Sequence, residues 1–280
     1  MINTIAVAGA GTMGLGIAQV AAQSGYTTIL FDLNKIALEK AALKIQSSLK
    51  YLSDKGSITP KEAIKIFERI KFTSSTSSCT ADLIIEAIIE KAYIKVALFN
   101  KLALINSNKT IFASNTSSIS ITAIQQKILL PRRVIGLHFF NPAPVMKLVE
   151  IVKGKYTSVS TVNTIKELCS KLNKTAALCK DSPGFIVNRV ARLYYLEAMQ
   201  LVTEGIASFE NVDAIMEATG FKMGPFKLMD LIGMDINLAV SRSIYYAFDK
   251  APRFTPSPIQ IAKVNNGDLG RKTGKGFYAY

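Results

Sequence analysis

The chain has 280 residues, 49% of them hydrophobic, and carries 34 Lys and Arg against 20 Asp and Glu, a formal charge of +14. That length suits one large domain or two unequal ones, and no apolar run reaches the ~18 residues of a membrane span. One histidine and three cysteines without ligand spacing (Cys79, Cys169 and Cys179) argue against a metal site; with no export signal ahead of Ile2 they predict reduced, buried thiols in a cytoplasmic protein.

The first predicted strand, residues 4–8, runs into GAGTMG, which places Gly9, Gly11 and Gly14 in G-x-G-x-x-G spacing ahead of a helical pattern, MGLGIAQVAAQSG. Strand, glycines and helix together are the context a dinucleotide-binding turn requires. Gly9 permits the tight turn, Gly11 lets the backbone approach a pyrophosphate, and Gly14 lets the helix pack close to the strand. Thr12 and Met13 open the helix, where backbone N–H groups face the phosphates. A second strand, 27–31, ends at Asp32, about 20 residues beyond the glycines, where a carboxylate binds the ribose 2′-hydroxyl of NAD and repels the 2′-phosphate of NADP. The same aspartate could instead cap the next helix.

Residues 34–70 hold two helical patterns parted by Gly56 and Thr59-Pro60 and read as a helical excursion from the sheet; KFTSSTSSCT, which follows, ends in a short polar loop. Further strands are expected at 83–86, 110–113, 134–139, 147–152 and 175–179. The strand–helix rhythm predicts a Rossmann-type, doubly wound α/β domain with a mostly parallel sheet. Asp181-Ser182-Pro183-Gly184 breaks the pattern, and the chain beyond it is helical almost throughout. The expected domains are 1–181, binding the dinucleotide, and 182–280, all-helical.

HFFNPAPVMKLVE contains the sole histidine, His138, and ends on Glu150. An antiparallel pairing of strands 134–139 and 147–152, centred on Pro144, sets these two residues opposite each other on one face, with Cβ atoms ~5 Å apart; a shift of one residue would separate them. Histidine suits the removal of a hydroxyl proton near neutral pH, and a carboxylate fixes its tautomer. Without such context, a lone histidine is an ordinary core or surface residue.

The motifs GAGTMGLGIAQ, IIEAIIE, ASNTSSISIT, GLHFFNPAPVMKLVEIV, DSPGFIVNR, MGPF, LIGMD and GRKTGKGFY occur in this order over nearly the whole chain. In them the sequence resembles the 3-hydroxyacyl-CoA dehydrogenase family, and within it the short, stand-alone bacterial 3-hydroxybutyryl-CoA dehydrogenases. The resemblance implies NAD-dependent, reversible oxidation of a short (S)-3-hydroxyacyl-CoA to the 3-oxoacyl-CoA, in fatty-acid breakdown or butyrate formation. It implies His138 as base, Glu150 as its orienter, and Ser117 and Asn188 on the reacting oxygen, in a cleft between the domains. It further implies NAD contacts at Glu90, Lys95, Ser117, Asn141 and Lys272, coenzyme A contacts at Ser48, Lys55 and Ser117, and a homodimer formed through the helical domain. For the lysines, a solvated surface position is the rival reading. Lys227, after MGPF, and Lys91-Ala92, after Glu90, depart from the family pattern.

The positive charge fits an anionic partner. No basic run is interleaved with aromatics, which argues against nucleic acid and leaves a phosphate-bearing small molecule open; the resemblance implies that this partner is an acyl-CoA, with no nucleic-acid or membrane partner. Two alternatives stand beside this: a hydroxyacid or sugar-acid dehydrogenase on the same fold, and a non-catalytic nucleotide- or nucleic-acid-binding protein.

Overall fold

The computed structural model describes residues 2–280, which fall into two compact units divided after Ser182. The first unit runs β1 (Thr4–Ala8), α1 (Thr12–Gln23), β2 (Thr27–Phe31), α2 (Lys35–Asp54), α3 (Pro60–Glu68), β3 (Ile70–Thr73), β4 (Leu83–Glu86), α4 (Ala92–Ala103), β5 (Ile111–Ser114), α5 (Ile121–Gln125), β6 (Val134–Phe139), β7 (Leu148–Lys153), α6 (Val159–Lys171) and β8 (Thr175–Lys180). The strands form one sheet in the order β3-β2-β1-β4-β5-β6-β7-β8. β1 to β6 run parallel, β7 returns antiparallel to β6, and β8 pairs with β7 in parallel.

This is the doubly wound Rossmann arrangement expected from the sequence. β4, β5 and β6 are buried along their whole length, as central strands of a parallel sheet covered on both faces must be. Ile5, Val7, Leu30, Leu83, Ile85 and Leu137 form much of the core with the buried side of α1. The order reverses direction between β1 and β4. Such a switch point opens a crevice at the carboxyl ends of the strands, and the glycine loop after β1 lies there.

One element departs from expectation. The polar loop expected after the 34–70 excursion is present, but ahead of it Ile70–Thr73 forms an unexpected edge strand, β3, against β2. Only Ile70 of its four residues is buried, so its apolar signal is one residue deep. β5, β7 and β8 also end one residue later than expected.

The second unit contains α7 (Val187–Thr203), α8 (Phe209–Ala218), α9 (Pro225–Ile232), α10 (Met234–Ala247) and α11 (Pro258–Asn265). Its core gathers Tyr195, Met199, Phe226, Met229 and Met234. Gly224 caps α9 without a side chain, and the buried Asp213 of α8 fills that role by accepting from the N–H groups of Phe226 and Lys227. Asp230 accepts from the N–H groups of Phe277 and Tyr278, so the GRKTGKGFY tail is tied to α9. Lys227, a departure from the family pattern, pairs with Glu217 at 2.9 Å, so an ion pair is present there. No described helix is long and apolar enough to cross a membrane.

Candidate active site

The glycine loop is built by close approach. A Cβ on Gly14 would run into the carbonyl of Gly9, and Gly9 itself has φ 105° with the Ala87 carbonyl against the face where a side chain would stand. Space around Gly11 is open: an added Cβ there meets nothing within 4 Å. Gly11 is also the N-cap of α1 and supplies no side-chain cap, so no cap side chain covers the first-turn N–H groups of that helix. These features fit a pyrophosphate at the helix start.

Asp32 is part of the same construction. Its Oδ2 accepts from the Ala10 N–H at 2.8 Å and its Oδ1 from the Asn34 N–H at 2.9 Å. The cap of α2 is Asn34, not Asp32. Each carboxylate oxygen keeps a second acceptor position for a ribose hydroxyl. Beside Asp32 lies a largely apolar cavity of about 350 Å³, lined by Phe31, Leu33, Ile88, Ile89 and Leu98, with Lys101 also in its wall. A larger groove of about 640 Å³ opens among the amino ends of the strands, near Asp82, Lys109 and Arg133. It contains none of the motif residues, and ligands of open α/β sheets bind at the carboxyl ends; the smaller cavity is the relevant one.

His138 and Glu150 face each other in the β6–β7 ladder, in the register the sequence suggested. His138 Nδ1 and Glu150 Oε2 are 2.7 Å apart, with the residues 7% and 0% exposed. A carboxylate only accepts, so Nδ1 carries the hydrogen of this bond, and in the neutral imidazole the lone pair is on Nε2. The ring of Phe140 lies 4.5 Å from the imidazole, centroid to centroid. The Asn115 side chain accepts from the Phe139 N–H at 2.8 Å and ties the end of β6 to the loop after β5.

Ser117 sits in that loop. Glu90 grips it: Oε1 accepts from the Thr116 hydroxyl, the Ser117 N–H, the Ser118 N–H and the Ser118 hydroxyl. Glu90 is held in turn by Lys95, and Lys95 by Glu86. Lys95 is 1% exposed, so it is no solvated-surface lysine. Burial pushes the Glu86 carboxyl above its ordinary range, and Lys95, Ser114 and the Ile88 N–H offset part of that. At Glu90 burial also acts upward, but Lys95 and the hydroxyls of Thr116 and Ser118 outweigh it and hold the group below its ordinary value. Asp181 grips the far end of the loop through Ser120 Oγ and the Thr122 N–H, both at 2.7 Å.

The remaining positions are more scattered. Asn141 is exposed, at a cis bond to Pro142. Ser48, on α2, accepts from Gln19 at 3.0 Å. Lys55 ends α2 in solvent, 5.8 Å from the centre of the Tyr51 ring. Thr12 is exposed and Met13 half-buried at the start of α1. Asn188 and Lys272 belong to the helical unit, where Asn188 lies in the first turn of α7 and Lys272 pairs with Asp235 at 2.5 Å. Reading the sequence for roles missed Glu86, Asn115, Thr116 and Asp181. Glu86 had a signal: a charged residue closing an otherwise apolar, buried strand.

Comparison with known proteins covers both units. Residues 4–182 match the 3-hydroxyacyl-CoA dehydrogenase NAD-binding domain, and residues 184–280 match the 3-hydroxyacyl-CoA dehydrogenase C-terminal domain. The 3-hydroxyadipyl-CoA dehydrogenase of Escherichia coli K12 is 46% identical over 99% of this chain, which spans only 59% of that protein. The mitochondrial hydroxyacyl-coenzyme A dehydrogenase of Rattus norvegicus is 41% identical, with 100% of this chain and 92% of the relative covered. The crystal structure of an (S)-3-hydroxybutyryl-CoA dehydrogenase from Ralstonia eutropha superposes with a TM-score of 0.95 at 39% identity, covering 100% of this chain and 99% of the other.

Proposed function

The chain belongs to the 3-hydroxyacyl-CoA dehydrogenase family, whose NAD-dependent activity it shares, and on that premise we propose that it interconverts short (S)-3-hydroxyacyl-CoA and 3-oxoacyl-CoA thioesters with His138 as the base. The observation that carries the assignment is the buried His138–Glu150 pair at 2.7 Å. Bound NAD supplies the hydride acceptor. The Nε2 lone pair of His138 takes the proton from the C3 hydroxyl. Glu150 fixes the ring and stabilises the imidazolium; general bases so placed contribute ~10²–10⁴-fold. Ser117 and Asn188 donate to the reacting oxygen. Gly9, Gly11, Thr12, Met13, Gly14 and Asp32 hold the dinucleotide, joined by Glu90, Lys95, Ser117, Asn141 and Lys272. Ser48 and Lys55 receive the coenzyme A moiety.

A four-carbon substrate accords with the Ralstonia relative's name, and a six-carbon dicarboxylic chain with that of the Escherichia relative. NADH consumption with acetoacetyl-CoA, 3-oxoadipyl-CoA and longer 3-oxoacyl-CoAs ranks them. Turnover of free hydroxy acids or sugar acids, with none of thioesters, would replace the assignment by a hydroxyacid dehydrogenase. His138→Ala should lower turnover at least ~10²-fold while leaving NADH affinity unchanged; retained turnover removes the assigned base.

The protein is proposed to act in the cytoplasm as a homodimer. Three free thiols suit a reducing compartment. Val190, Ile215 and Phe221 of the helical unit are exposed apolar residues that a second copy would cover.

A further inference from the structure

We propose that Arg192 reads the far end of the acyl chain by receiving a terminal carboxylate, so that the preferred thioesters are dicarboxylic; this rests on the dehydrogenase reading above, with Asn188 on the reacting oxygen. Arg192, in the second turn of α7, is 2% exposed. Burial pulls it down to about 10, so it still carries its charge at neutral pH. A buried cation is costly unless an anion answers it. Among the described residues none does: no Asp or Glu forms an ion pair with Arg192. Asn237, Ser241 and the Tyr195 ring, which surround it, are neutral.

The guanidinium is held by one end. Its hydrogen bonds leave from Nη1, to the Asn237 carbonyl at 2.9 Å, Asn237 Oδ1 at 2.8 Å and Ser241 Oγ at 2.6 Å. Gln260 donates to the same Asn237 Oδ1 at 2.6 Å and fixes that amide. Nε is buried and meets no acceptor in the protein. Nε–H and the neighbouring Nη2–H form a planar fork, the edge on which a guanidinium takes both oxygens of a carboxylate. The helix sets where this fork lies. Arg192 follows Asn188 by four residues, so the two share a face of α7, about one turn and ~6 Å apart. Long helical side chains lean back toward the helix N-terminus, which directs Arg192 toward the Asn188 turn. The packing of α10 agrees: Ile244 sits against Gly184, ahead of α7, so Ser241, one turn earlier, flanks the first turns of α7. In a six-carbon dicarboxylic chain the terminal carboxyl carbon lies three carbon–carbon bonds of ~1.5 Å beyond C3, a span of the same order as that turn. A four-carbon chain has no group to offer there.

The test compares NADH-dependent reduction of 3-oxoadipyl-CoA and 3-oxohexanoyl-CoA, which match in length and differ in the terminal charge. A site with a buried polar group rejects a substrate that leaves it unpaired, so wild type should favour the dicarboxylic thioester in kcat/KM by at least ~10²-fold. Arg192→Gln should lose most of that preference, with kcat/KM for 3-oxohexanoyl-CoA within about threefold of wild type. Arg192→Lys keeps the charge without the fork and should fall between the two. A wild type without the preference overturns the proposal, as does an Arg192→Gln variant that retains it. If Arg192→Gln dissociates to monomers with its chain preference unchanged, a carboxylate of a second copy meets the fork and the proposal is overturned. Calorimetry with adipyl-CoA and hexanoyl-CoA, neither of which can be reduced, repeats the comparison without turnover. Adipyl-CoA should bind wild type at least ~10-fold more tightly and bind Arg192→Gln no better than hexanoyl-CoA; equal binding to wild type overturns the proposal. Should the variants fail to fold, the two wild-type comparisons decide. A wild-type protein that reduces no 3-oxoacyl-CoA defeats the dehydrogenase reading, while the calorimetry still judges Arg192.

Discussion

At the scale of single residues, the site depends on what each group can donate or accept. Glu150 is fully buried and hydrogen-bonded to His138 Nδ1, and in the proposed mechanism its charge would stabilise the imidazolium that proton transfer creates. Glu150→Gln keeps the shape and removes that charge; the amide can also present its N–H₂ to the ring and favour the wrong tautomer. The expected loss in kcat is ~10²–10⁴-fold, measured with acetoacetyl-CoA, with NADH affinity retained. A variant with full kcat would reduce Glu150 to a packing residue. This pair was legible in the sequence because two strands about a Pro-rich turn restrict which residues can face each other. Glu86 was not read as part of the site because the same pattern gave it no partner: its counter-ion comes from α4, nine residues on. Of the three thiols expected to be buried, Cys79 and Cys169 are, while Cys179 is half-buried at the edge strand β8. Burial pushes Cys169 up to about 12 and Cys79 to about 11, which keeps both protonated and poorly nucleophilic at neutral pH.

At the scale of elements, the loop after β5 is the one most constrained by charge. Glu90 has a depressed pKa in the folded state. It therefore stabilises that state fully above the ordinary carboxylate value of ~4.3, and the contribution fades as pH falls through the depressed value. The difference in melting temperature between wild type and Glu90→Gln, tracked from pH 7 to about 3.5, should be largest at neutral pH and close in acid. A difference that does not narrow would mean that Glu90 acts through shape alone. Glu86, raised by burial, has the opposite sign, so the two carboxylates do not titrate as one group. The central strands were readable as elements because continuous apolar runs such as LIIE admit few alternatives. β3 was not: IKFT comes directly after a helix, exposes Lys71, and becomes a strand only because β2 offers it a free edge.

At the scale of the molecule, the formal charge of +14 is spread over a chain whose proposed substrate carries several phosphate charges. Steering of this kind is screened beyond ~10 Å at 0.1 M salt. The value of kcat/KM for acetoacetyl-CoA should therefore fall between ~0.05 and ~0.5 M salt while kcat holds; a flat profile would assign the lysines to solubility. Sedimentation at micromolar concentration should give a particle of twice the 30.5 kDa chain mass, and only monomer would remove the proposed dimer. In a sheet whose strands all pointed one way, only their final residues would reach the rim where ligands gather. The return of β7 brings a strand's opening residues to that rim as well. A crossover helix would have placed a dozen or more residues of outside structure between acid and base. Here both residues are carried by one hairpin, twelve positions apart, so the spacing of the proposed proton-handling pair is set by the register of that ribbon.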